Sequence, residues 1–221
     1  MLRPVDAVHR QGAERMRERI TSAPPTPAVF RAALLEVPPA ERDAWVDLVL
    51  GLESIPDDGP ELPRGCVPYV PCGVDALLRV VEHAGVGVSD VFVDIGAGVG
   101  RAAVLVHLSS GASAIGLEIQ PALVRVGRAV IARFPALRVA LIEGDAAVLT
   151  RSIADGTVFF LYCPFSGARL ETVLDDLEAI ARTRQIRVCC VDLPLPPRPW
   201  LTLVSPAFED LAVYSSAPVG R

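Results

Sequence analysis

Apolar positions change their spacing near residue 65, and the change divides the chain into two expected parts. Before it, helical spacing broken by prolines predicts a helix over Val5–Ile20, a second over Pro27–Leu35 and a third over Pro39–Leu52, with proline opening the second and third. Ile55–Gly65, rich in Pro, Gly and Asp, reads as a linker. After it, apolar runs at 91–95, 113–119, 137–142, 157–163 and 186–192 alternate with helical patterns over 73–83, 99–108, 121–134 and 167–183. In the last of these, Leu170, Val173, Leu174, Leu177 and Ile180 share one face, as core leucines do. Strand and helix in alternation imply a parallel sheet covered on both faces.

The end of the chain breaks that rhythm. Leu193–Trp200 holds four prolines, too many for another crossover helix, and Trp200–Val204 and Phe208–Ser215, joined by Ser205-Pro206-Ala207, form an expected hairpin. No internal repeat or low-complexity tract appears.

The first strand run carries the chemistry. Val91-Phe92-Val93-Asp94-Ile95 breaks into Gly96, Gly98 and Gly100, residues that let a strand turn sharply into a helix while its backbone touches a ligand. The next strand, Ser113–Ile119, brings Glu118 to the same edge, where a carboxylate accepts the two hydroxyls of a ribose. Loop and carboxylate together read as a nucleotide-type cofactor site. A dinucleotide fits poorly, because Arg101 stands where the dinucleotide fingerprint takes Gly or Ala, and Asp94 would face a pyrophosphate with like charge. S-adenosyl-L-methionine carries no phosphate, and its ammonium and sulfonium suit an acidic surround.

Asp94-Ile95-Gly96-Ala97-Gly98-Val99-Gly100 resembles the first motif of the class I S-adenosylmethionine-dependent methyltransferases, acidic-x-Gly-x-Gly-x-Gly, at every fixed position. The resemblance covers roughly residues 67–217. It implies a Rossmann-like α/β fold: a doubly wound, mostly parallel seven-stranded sheet with a C-terminal antiparallel hairpin, over 61–221; the helical spacing of 1–60 adds an N-terminal helical cap or lid. It also implies that Asp145, in Glu143-Gly144-Asp145-Ala146, reaches the adenine amino group. The cofactor-binding set it implies is Tyr69, Asp94, Gly96, Gly98, Gly100, Glu118, Ile119, Asp145 and Ala146. Tyr69, in Val67-Pro68-Tyr69-Val70-Pro71, belongs to the segment that in such proteins closes over the methionine end. A weaker similarity, from Tyr69 through Gly116-Leu117-Glu118, is to the nucleosomal lysine methyltransferases outside the SET class; those use asparagines that this chain lacks.

The acceptor side is less determined. Methyl transfer from a sulfonium is an in-line displacement governed largely by positioning, so no base is obligatory. Tyr162-Cys163-Pro164-Phe165 stands where amino-methylating branches have Asn or Asp, Pro, Pro and an aromatic, which weakens transfer to a DNA base or a glutamine-type amide. Tyr162 and Asp192, each ending a strand at one edge, are the candidate catalytic groups, either to orient a proton or, for Asp192, to bind an ammonium or act as base. Cys163 as nucleophile has no activating partner nearby in sequence. His9, His83 and His107 fall in helical patterns and read as structural.

Composition narrows the classes. The 221 residues, 51% of them hydrophobic, suit one domain with a core plus an appendage. All 21 basic residues are arginine and the net charge is −5, which disfavours a nucleic-acid partner and leaves a small molecule or a protein side chain as the expected acceptor. Five cysteines, an odd number in a chain without a secretion signal, imply reduced thiols, and Cys66 and Cys72, six apart, lack the CxxC spacing and second pair of a metal site. No apolar run reaches membrane length and the first residues lack a signal-peptide pattern, so a cytoplasmic protein is expected. Two alternatives stay open: a catalytically degenerate, cofactor-binding partner subunit, and an NAD-dependent oxidoreductase, disfavoured by Arg101 and by the lack of any lysine for a Tyr-x-x-x-Lys site.

Overall fold

The computed structural model describes residues 5–52, 54–59, 62–206 and 208–217. Its sheet comprises β1 (Val91–Ile95), β2 (Ser113–Glu118), β3 (Val139–Glu143), β4 (Val158–Tyr162), β5 (Arg187–Val191), β6 (Leu201–Leu203) and β7 (Leu211–Ser216), in the order β3-β2-β1-β4-β5-β7-β6. The first five strands run parallel, while β7 is antiparallel to both β5 and β6. The order reverses between β1 and β4, and ligands of open α/β sheets sit outside the strand ends at such a switch.

Alternation along the strands sorts the core. Phe92, Phe160 and Cys189 face one side, where they meet α4 (Val74–His83) and α5 (Arg101–Ser110). Val93, Phe159, Leu161 and Val188 face the other side, against α8 (Ala168–Ala181). The helices α1 (Ala7–Ser22), α2 (Pro27–Glu36) and α3 (Arg42–Leu50) extend the first of these cores: Phe30, Leu34 and Trp45 are buried in one cluster with the α5 residues. Helix α6 (Pro121–Ile131) lies against β3, with Gly127 fitted closely to Val99 and Leu141.

Several boundaries differ from expectation for local reasons. Helix α5 begins at Arg101 rather than 99, because Gly98 and Gly100 have φ of +55° and +74° and a right-handed turn starts only beyond them. Helix α6 stops at Ile131 rather than 134, three residues before Phe134, whose following Pro135 disfavours helical backbone. The third expected helix is a single tight turn, Pro39–Glu41, leading into α3. A four-residue helix, α7 (Ala146–Leu149), was not expected; the Asp145 side chain caps it by accepting from the Ala147 N–H at 2.9 Å. Between β5 and β6 the proline-rich segment is helix-free, and the hairpin forms with a shorter first strand than Trp200–Val204; Ala207, in its connection, lies outside the described residues. Among the described residues no helix is long and apolar enough to cross a membrane.

Candidate functional site

Gly96, Gly98 and Gly100 all take positive φ, +86°, +55° and +74°, and carry the chain from β1 into α5. The Tyr69 ring occupies the place where a side chain on Gly98 would stand, and a β-carbon on Gly96 would lie 2.5 Å from Pro164 Cβ. The loop is thus roofed by the 65–70 segment. That segment is pinned in turn to the stretch after β4: Cys66 bridges Phe165, the Val67 N–H donates to the Pro164 carbonyl at 3.1 Å, and the Ser166 N–H donates to Gly65 at 3.0 Å.

Glu118 ends β2 and is 6% exposed. One carboxylate oxygen accepts the Gly98 N–H and the other the Gln120 N–H, both at 2.8 Å. Burial raises its pKa while these amides pull the other way. A carboxylate offers about four acceptor sites, so two amides leave room for two hydroxyls.

Asp94 has no such partners. It is 3% exposed on the Phe92 side of β1, and no donor among the described residues reaches its carboxyl, which burial first and the Glu118 charge second push up to about 7. A buried carboxyl without a donor is costly to ionise, and a cation beside it removes that cost.

Asp145 is placed at the β3 end as expected, with Ala146 beside it, but one of its oxygens is already engaged by both the Ala147 N–H and Arg169. Tyr162 and Asp192 come together. In the β4–β5 register Tyr162 pairs with Val191, so Cys163 and Asp192 follow side by side, with φ of +40° and +51°, the two non-glycine residues in the left-handed region among those described. The Cys163 thiol donates to the Asp192 carbonyl, and the Asp192 N–H donates to the Asp210 carbonyl at 2.8 Å. Burial raises the pKa of the Tyr162 hydroxyl and of the Cys163 thiol, so both hold their protons at neutral pH and neither is a ready base or nucleophile.

A cavity of about 210 Å³ is lined by Gly96, Glu118, Ile119, Asp145 and Ala146 together with Tyr69, Tyr162, Cys163 and Asp192; Asp94, Gly98 and Gly100 lie behind this lining and not in it.

Four participants were not singled out from sequence. Gln120, 7% exposed, donates its amide to Asp58 at 2.8 Å and accepts from the Gly59 N–H at 2.8 Å, while Asp58 also accepts from the Tyr69 N–H at 2.9 Å. Gln120 and Asp58 therefore strap the linker over the Glu118 edge. Arg169 lines the cavity with Asp145. Arg101, read from sequence as a motif position and not as a structural cation, is 3% exposed and donates to Asp47 at 2.6 Å, to Asp43 at 2.8 Å and to the Cys72 carbonyl at 2.8 Å. Asp43 and Asp47, four apart on one helix face, were the available signal for a buried cation.

No family model matches the chain. No curated protein sequence matches it either. Solved structures do. A methyltransferase of Escherichia coli, so described provisionally, is similar at 20% identity with a TM-score of 0.52 over 74% of this chain and 92% of that one. A Staphylococcus aureus protein provisionally described as a caffeoyl-CoA O-methyltransferase is similar at 13% identity and 0.52, over 68% and 86%. A precorrin-6y C5,15-methyltransferase of Geobacter metallireducens is similar at 15% identity and 0.50, over 65% and 88%. At these identities the likeness is one of fold, and the fold is the Rossmann-like α/β architecture of the methyltransferases.

Proposed function

We propose that this chain is an S-adenosyl-L-methionine-dependent methyltransferase acting on a small molecule or a protein side chain. The observation that carries the reading is the buried Asp94 carboxyl, without a donor among the described residues and two positions before a glycine loop whose Gly98 amide is held by Glu118. S-adenosyl-L-methionine supplies, when bound, an electrophilic methyl on a sulfonium. Asp94 offers its carboxylate to the cofactor ammonium, and Glu118 accepts from the ribose hydroxyls with the lone pairs its two amide bonds leave. Tyr69 covers the loop and keeps water from it, and the second Asp145 oxygen accepts from the adenine amino group, as Ile119 and Ala146 wall the base. A dinucleotide would set a pyrophosphate against Asp94, a repulsion between like charges in a site of low dielectric. The helices of the first 50 residues, sharing the α5 core, serve as a fixed support rather than a mobile lid.

Titration calorimetry with S-adenosylmethionine, S-adenosylhomocysteine and NAD tests this reading. Micromolar affinity for the first two and none for the third is expected; NAD binding alone would sink it, and no binding at all would favour a degenerate partner subunit.

A further inference from the structure

We propose that the methyl acceptor is a small organic amine with an apolar body, held through its ammonium by Asp192; this rests on the methyltransferase reading above.

The argument begins with position. Strands β2, β1, β4 and β5 are consecutive in the sheet, and neighbouring strands lie about 4.8 Å apart, which puts the ends of β2 and β5 about 14 Å from one another. Glu118 at the first end serves a ribose. Asp192 at the other end is beyond reach of that sugar and borders what stands over β4 and β5.

Charge comes next. Among the described residues lining the cavity, Arg169 is the one cation, and it is ion-paired with Asp145 at the far end. Beside Asp192 stand the Tyr162 phenol and the Cys163 thiol, and the lining also includes Val67 and Val70, which are 47% and 57% exposed. An acceptor bearing phosphate or carboxylate would meet Asp192 with no counter-charge, whereas an ammonium gains a charge-assisted hydrogen bond there. The exposed valines receive the apolar remainder of the molecule, as area removed from water.

Backbone geometry fixes where that side chain leaves the sheet edge. Asp192 holds a left-handed conformation that strains a residue with a β-carbon, and both of its backbone polar groups are tied, to Asp210 and to Cys163. Asp210 is itself anchored by Arg79 at 2.8 Å.

The chemistry balances. The bound ammonium gives one proton through Asp192 to solvent, which frees the nitrogen lone pair. That pair forms the N–C bond as the C–S bond breaks and its electrons leave with sulfur, so a sulfonium becomes a thioether. The product departs as a methylated ammonium, and one proton is released per turnover. Tyr162, which keeps its proton, accepts an N–H on its hydroxyl oxygen and aligns the nitrogen.

A matched trio separates the possibilities: 2-phenylethylamine, 2-phenylethanol and phenylacetate, titrated into the protein saturated with S-adenosylhomocysteine. The amine should bind at least about tenfold more tightly than either analogue, one tenfold step being the modest end of a charged hydrogen bond. Asp192→Asn should remove that preference with S-adenosylhomocysteine affinity held within about twofold, and Asp192→Glu, which keeps the charge, should retain it. With S-adenosylmethionine, mass spectrometry should find the N-methylated amine and a pH indicator one proton per methyl. Equal or tighter binding of the alcohol or acid, a preference that survives Asp192→Asn, or no binding by any of the three would overturn the proposal. Tighter binding of Nα-acetyl-lysine amide than of phenylethylamine would overturn its small-molecule part. Failure of S-adenosylhomocysteine to bind is a separate result, and it removes the methyltransferase reading with the amine proposal. If Asp192→Asn itself loses that affinity, the ranking of the trio on the unaltered protein decides.

Discussion

The two ends of the cavity use the same unusual backbone conformation and fill it with opposite residues. At the proposed cofactor end the left-handed positions are Gly96, Gly98 and Gly100; at the proposed acceptor end they are Cys163 and Asp192. Where a ligand must lie against the backbone, the missing β-carbon is the useful property, as the ring of Tyr69 against Gly98 shows. Where a ligand must meet a side chain, glycine has nothing to offer, and the fold accepts the strain instead. The polar groups differ in the same sense. Glu118 and Gln120 are bonded to backbone amides and buried, whereas Asp192 is exposed and, among the described residues, bonded only through its main chain.

The sharpest way to break the cofactor end is at its foundation. Arg101→Met leaves the Asp43 and Asp47 carboxylates without their cation, and Asp47 is already raised in pKa by burial. Removing one partner of a fully buried ion pair costs about 3–5 kcal/mol; with Asp47 and Asp43 20% and 38% exposed the loss should sit at the low end, about 3 kcal/mol, which urea denaturation should register, with loss of cofactor affinity at temperatures where the protein remains folded. A smaller effect, about 1–3 kcal/mol, is expected for Glu118→Gln, whose amide group would confront the Gly98 or Gln120 N–H; calorimetry should find S-adenosylhomocysteine weakened by roughly five- to 150-fold on the same scale. Unchanged affinity would mean that Glu118 only braces the loop.

The Asp94 carboxyl sets a pH dependence. Its pKa is raised from 3.8 to about 7 in the folded protein, so its proton is bound more tightly there than in the unfolded chain. Its contribution to stability is full below the ordinary value and is lost as pH rises through about 7. A cationic ligand binds the ionised form, so cofactor affinity should climb by up to about tenfold per unit between pH 5.5 and 7 and then level off. Asp94→Asn should flatten that profile; a slope unchanged in the variant assigns the titration to another group. The smallest expected effect belongs to the acceptor end. Cys163→Gly should relieve its backbone and raise stability by up to about 1 kcal/mol, with cofactor affinity unmoved, as read by thermal unfolding and calorimetry in parallel.

Much of this was legible in the residues. The strands announced themselves because apolar runs between glycines and charges have few other uses, and the glycine loop with Glu118 is local chemistry on adjacent strands. The missing crossover helix followed from four prolines. What escaped was set by distance along the chain. Arg101 meets partners 29, 54 and 58 positions away, and Gln120 meets Asp58 across 62; no periodicity reports such pairs. The left-handed turns at Cys163 and Asp192 were equally hidden, since cysteine does not favour them, aspartate takes them only occasionally, and the neighbouring strand and hairpin impose them. Helix α7 is too short for a pattern to show, and only its cap, Asp145, was noticed, for a different reason.

Arg101 also bears on how far this protein can be taken apart. Its side chain binds the first helix after the cofactor loop to α3 and to the loop before α4, so three stretches of chain meet at one guanidinium. The opening fifty residues are therefore not a detachable module. A chimera that exchanged them for another protein's leader would inherit a cation with no acids to meet it, and the recipient of these helices would inherit two acids with no cation. Inheritance of the two parts as a unit is the condition under which either keeps its shape.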